Sequence, residues 1–110
     1  MLSFKDVTEI NKCFVEGRVV NPGALDYVVK TQSRSKNWLR TAALFTRAII
    51  VDHVFEDGNK RTAGAVLMFI MEFNRIKYLP EEIPEIVVSI LTKNLTDIRE
   101  IERCIKHGIR

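Results

Sequence analysis

Apolar residues recur along this chain at helical spacing, in separate runs divided by polar turns. Val7, Ile10, Cys13 and Phe14 fall at steps of three and four, the period of one helix face. Ser3 and Asp6 ahead of them form a capping pair, and Gly17 supplies a stop, so a first helix is expected to about Glu16. Asn21 and Pro22 open a short second helix as cap and first turn, with Leu25, Val28 and Val29 inward. The stretch 31–37 is polar and basic without apolar period, and reads as a loop. Trp38, Leu39, Ala42, Phe45, Ile49 and Ile50 give a third helix, to about Val51, a broad apolar face, with Arg40 and Arg47 outside.

A fourth helix is expected from Asn59 to about Lys77. Its middle, from Ala63 to Met71, is apolar almost all round, as a helix central in its domain is. Its methionines read as core filler. Pro84 opens a fifth helix, running to about Lys93 through Ile86, Val87, Ile90 and Leu91. Thr96 can cap a sixth, with Ile98, Ile101, Cys104 and Ile105 inward and a stop near Gly108. His107 then sits in a last turn, where the helix dipole favours a cation. No convincing pair of strands is present. The expected fold is all-α: a compact bundle of about six helices around the segment 59–77, in one domain over residues 1–110.

Composition adds limits rather than direction. The 110 residues are 46% apolar and 28% charged, which excludes a disordered chain and a membrane-dominated one. Seventeen Lys and Arg against fourteen Asp and Glu leave a net charge of +3. That suits an anionic ligand but is too small to argue for nucleic acid. A lysine-rich surface explains it equally well. The N-terminus lacks the basic start and apolar run of a secretory leader, and no stretch approaches the roughly 18 unbroken apolar residues of a membrane span. The expected location is the cytoplasm, with no membrane partner. Cys13 and Cys104 lie far apart without metal-binding spacing. They are expected as free, at least partly buried thiols, a disulfide being left open.

The chemistry concentrates between the third and fourth helices, in His53-Val54-Phe55-Glu56-Asp57-Gly58-Asn59-Lys60-Arg61. Gly58, Asn59, Lys60 and Arg61 stand at a helix start, whose first N–H groups lack intrahelical partners and carry the positive end of the dipole. Glycine lets an anion approach the backbone, and arginine can grip phosphate through two parallel hydrogen bonds. Asp57 is misplaced beside a polyanion unless a cation lies between them. Mg²⁺ answers that need, since it binds through one or two carboxylates plus substrate phosphates. Aspartate also caps helices, and both roles can hold together. An imidazole such as that of His53 can take a proton from a hydroxyl attacking phosphorus. Phe55 is expected to point into the core and anchor the turn, with Glu56 exposed.

These nine residues resemble the signature of the Fic/Doc (Fido) superfamily, HxFx(D/E)(A/G)N(G/K)R, at all seven specified positions. Residues 21–25 and 42–45 resemble the upstream helices of such proteins, and the likeness extends over roughly residues 3–80. The resemblance implies a Fido fold in which His53 deprotonates the hydroxyl of a target protein and Asp57 holds Mg²⁺. Backbone amides around Gly58 and Asn59, with the side chains of Asn59 and Arg61, would bind the phosphates of ATP. The segment Ser33, Arg34, Ser35 and Lys36 would be a flap that aligns the target. Fic enzymes mostly transfer AMP from ATP to a protein hydroxyl. The Doc branch transfers the terminal phosphate, takes elongation factor Tu as target, and acts as a toxin restrained by an antitoxin.

Three positions bear on the branch. The Fic pattern has glycine after the asparagine, where this chain has Lys60. It also carries a second arginine three residues after the first, where this chain has Gly64. Val54 replaces the proline of many AMP-transferring members. All three point to Doc. Thr96 and Glu100 fit part of the inhibitory-helix pattern (S/T)xxxE(G/N), but Ile101 breaks it. A plain helix cap and a solvated glutamate are favoured there, which leaves control to a partner protein.

Overall fold

The central helix, α4 (Asn59–Phe73), packs against the first, third and fifth helices of a computed structural model that describes residues 2–32 and 37–109. In chain order the others are α1 (Phe4–Lys12), α2 (Pro22–Gln32), α3 (Trp38–Thr46), α5 (Glu82–Thr92) and α6 (Ile98–Gly108). The fold is thus all-α, a compact bundle of six helices with a Cα radius of gyration of 12.4 Å. Among the described residues there is no strand, only one isolated antiparallel bridge, Val19 to Phe55. No helix among them is long and apolar enough to cross a membrane.

Burial follows the expected stripes except at the end of the first, where Cys13 and Phe14 are exposed. Phe45, Phe55, Leu67, Ile70, Met71, Ile90, Ile101 and Ile105 are all within 1% of full burial. One face of α4 departs from the apolar-all-round expectation. Phe69 and Phe73 are exposed there and stack on each other with ring centroids 6.1 Å apart.

Helix boundaries moved where tertiary hydrogen bonds outbid local signals. At the start of α1 the expected capping box is present. Ser3 Oγ accepts from Asp6 N–H, and the Asp6 carboxylate accepts from Ser3 N–H. That backbone bond holds the Asp6 carboxyl below its ordinary 3.8. The box therefore stabilises fully above the unfolded value, and its contribution fades as pH falls through the lowered one.

α1 stops at Lys12 rather than Glu16, because residues 18–21 run extended against 54–56. Val20 and Asn21 N–H donate to the Val54 carbonyl, and Glu56 N–H donates to that of Arg18. Gly17 lies in this loop at φ +76 instead of ending the helix. Cys13 is consequently exposed, not buried, and Cys104 is half-buried; both thiols are free. Two residues of the expected loop, Thr31 and Gln32, belong to α2. Gln32 is buried, and its amide bonds to both backbone polar groups of Leu2. The flap residues Ser33, Arg34, Ser35 and Lys36 lie outside the described residues.

α3 passes into a π-helical turn, Arg47–Val51, in which Asp52 N–H reaches the Arg47 carbonyl. α4 ends at Phe73, four residues short of Lys77, in a Schellman motif: Ile76 N–H bonds to the Met71 carbonyl and Arg75 N–H to that of Glu72. Arg75 takes the left-handed position, at φ +59. α5 begins two residues before Pro84, whose missing N–H costs nothing in a first turn. Asp97, not Thr96, caps α6, through hydrogen bonds from Arg99 and Glu100 N–H.

Candidate functional site

The π turn carries one extra residue, and the chain leaves it through Asp52 into His53 at φ +50. A non-glycine residue in the left-handed region stores strain, a feature that clusters at functional sites. π turns cluster there too. Three anchors hold the segment that follows. Val54 and Phe55 are buried. The backbone of 54–56 is hydrogen-bonded to residues 18–21. The Asn21 amide donates to the Asp52 carbonyl at 2.8 Å. His53 is thereby left exposed on a braced turn.

At the other end, Gly58 precedes α4 at φ +74 and offers no capping side chain. The N–H groups of Asn59, Lys60 and Arg61 thus begin the helix without intrahelical acceptors. Glycine is required here for two reasons. The backbone is left-handed, and an added Cβ would stand 2.8 Å from Val15 Cγ2 and 3.2 Å from Asn11 Nδ2. Gly58→Ala is therefore expected to destabilise the fold by about 1–2 kcal/mol, the left-handed cost alone. Urea unfolding checks this; an unshifted midpoint would mean that Val15 and the turn relax freely.

His53, Glu56, Asp57, Gly58, Asn59, Lys60 and Arg61 line one cavity of about 340 Å³, closed on its apolar side by Ile50 and Leu91. Every motif residue with polar chemistry is therefore gathered there, and Phe55 is the buried anchor beneath. Lys60 and Arg61 are exposed, and the Arg61 guanidinium rests on the Phe14 ring, 5.6 Å from its centroid. Glu56 turns to Arg18, at 3.1 Å. Asp57 is exposed; its Oδ1 accepts from Gly58 N–H at 2.8 Å, and no hydrogen bond is made to its Oδ2 among the described residues.

This donor set fits Mg²⁺ in one way. Among the described residues no cluster of three or more His, Cys, Asp or Glu could cage a metal. A single carboxylate oxygen without a hydrogen bond among the described residues, beside an uncapped helix start, would suit an ion shared with phosphates.

The Asn59 side chain, expected to bind phosphate, is engaged with the turn itself. Its Oδ1 accepts from Phe55 N–H at 3.1 Å and its Nδ2 donates to the Phe55 carbonyl at 2.8 Å. The side chain thus braces the turn. Gly64, where the Fic pattern carries a second arginine, is buried, with Ile83 of α5 at 3.4 Å from where its Cβ would stand. Glu100 of the partial inhibitory pattern lines a different, larger cavity of about 820 Å³ between α5 and α6, which shares no residue with the motif.

Sequence reasoning missed Asn11, Phe14 and the Asp52 clamp of Asn21. Asn11 left one signal. It lies four residues after Val7 on the inward stripe of α1, where an amide at a core position calls for specific partners. No family model matches this chain, and neither does any curated protein or solved structure.

Proposed function

We propose that this chain is a Fic/Doc-type transferase of the Doc branch, moving the terminal phosphoryl group of ATP to a serine or threonine hydroxyl of a target protein. The observation that carries the proposal is the gathering of His53, Asp57, Lys60, Arg61 and the uncapped start of α4 around one cavity. A base, a metal-binding carboxylate and an anion site are the parts such a transfer needs.

His53 takes the proton of the target hydroxyl as its oxygen bonds to the γ-phosphorus. The bond from that phosphorus to the bridging oxygen breaks, and ADP leaves with the electron pair. Lys60, Arg61 and the free N–H groups of Asn59, Lys60 and Arg61 take up phosphate charge. Asp57 would hold Mg²⁺, which when bound neutralises charge on the phosphate oxygens. The chain's contribution is then chiefly positioning and a prearranged field.

Two features favour phosphoryl over AMP transfer. Lys60 adds bulk and charge where AMP-transferring relatives seat the inner phosphates. Gly64 is buried beside Ile83 and supplies no second guanidinium for that pose. The same reading has the protein working in the cytoplasm on a translation factor such as elongation factor Tu, restrained by a separate antitoxin.

The test is incubation with Mg²⁺, a cell lysate and ATP labelled at either the α or the γ position. Label from the γ position on a protein band is expected. Label from the α position would move the chain to the nucleotidyl-transfer branch. No label from either, with nucleotide bound, would leave a binding module.

A further inference from the structure

Three amide side chains grip the motif turn at successive carbonyls. Asn21 donates to Asp52, Asn59 to Phe55 and Asn11 to Asp57. Asn11 differs from the other two in what it joins. From the end of α1 its Nδ2 donates to the Asp57 carbonyl at 3.0 Å and to the Thr62 hydroxyl at 2.9 Å. Asp57 is the candidate metal ligand, and Thr62 is the fourth residue of α4. The amide thus spans the helix start whose residues line the cavity, and it lies close against Gly58. Its orientation is fixed, because a backbone carbonyl can only accept.

The second peculiarity is energetic. Asn11 is completely buried, and among the described residues its Oδ1 has no hydrogen-bond partner. An acceptor buried without a protein partner offsets part of what the two donated bonds return. What it does supply is a fixed separation between the Asp57 backbone and the first turn of α4.

We infer that Asn11 is a positioning residue for the metal and phosphate end of the site. Resting on the nucleotide reading above, its amide sets the Asp57 carboxylate in register with the N–H groups of Asn59, Lys60 and Arg61. It touches neither substrate nor metal and acts through the Asp57 and Thr62 contacts alone. Groups that orient a ligand from behind in this way commonly govern metal affinity about as strongly as a weak ligand does.

The experiment is calorimetric titration of the whole chain with ATP, with and without Mg²⁺, beside thermal unfolding of each variant. Asn11→Leu replaces the amide by an apolar group of similar size, and Thr62→Ser keeps the hydroxyl. Asn11→Leu is expected to stay folded and to bind ATP with Mg²⁺ about tenfold more weakly, with a much smaller change when Mg²⁺ is absent. Thr62→Ser should keep the wild-type affinity to within about twofold. A folded Asn11→Leu with wild-type affinity would overturn the inference while leaving the nucleotide site standing. An equal loss with and without Mg²⁺ would overturn it too, since the residue would then merely support the fold. If Asn11→Leu does not fold, Asn11→Ser is read by the same criteria, and failure of both to fold makes the role structural. Absence of binding by the wild-type chain would overturn the site itself and this inference with it.

Discussion

Alanine in place of His53 will lower the transfer rate about 10²–10⁴-fold, the usual worth of a positioned general base. The fold will barely notice. His53 is exposed, and a surface substitution without buried partners typically shifts stability by less than about 0.5 kcal/mol. His53→Gly separates the two effects further. At φ +50 the histidine backbone is strained, and glycine relieves that strain at the expense of a more flexible unfolded chain. The expected net gain is about 0.5–1 kcal/mol, in a variant as inactive as the alanine one. Thermal unfolding and labelled-phosphate transfer on the same preparations check both signs. Activity within tenfold of wild type in His53→Ala would remove the imidazole from the chemistry and leave the cavity as a binding site.

That opposition between fold and function at one residue also explains what the sequence could and could not tell. The cavity's polar lining was legible because it is contiguous. His53 to Arg61 lie in one stretch, so spacing alone places them together. The core was legible because the apolar stripes of α3, α4 and α6 hold their helical period. What escaped were contacts between distant segments. Asn11 meets Asp57 across 46 positions, and Asn21 meets Asp52 across 31, and no local pattern encodes either pairing. The same cause shortened α1. Cys13, Phe14 and Gly17 carry ordinary helix signals, but the bonds of residues 18–21 to the motif turn outweigh them. At α6, by contrast, two adjacent side chains compete for one cap, and aspartate prevails over threonine, as cap preferences predict. The bonds of the Asn59 amide to the Phe55 backbone were not legible either, because a side chain at a helix start reads as a ligand until its own bonds are seen.

Phe55→Ala should bring the largest loss of stability, about 3–5 kcal/mol, against a total of about 5–15 kcal/mol for a domain of ordinary stability. Phe55 is 1% exposed and among the largest fully buried side chains, so truncation leaves a cavity that the surrounding helices cannot fill. The residue also holds the turn through its backbone, in the bridge to Val19 and the paired bonds to the Asn59 amide. A conservative partner separates packing from positioning. Phe55→Leu keeps most of the volume and should cost under about 1.5 kcal/mol. Its loosened packing should still let His53 drift from the geometry that transfer requires, because a catalytic group must be held to within about 0.5 Å. Phe55→Leu is therefore expected to unfold in urea near the wild-type midpoint but to transfer phosphate measurably more slowly at temperatures where it is fully folded. Wild-type transfer by Phe55→Leu would mean that the Asn21, Asn59 and Val19 contacts hold the turn unaided. A loss under about 1 kcal/mol in Phe55→Ala would mean that the core closes over the gap.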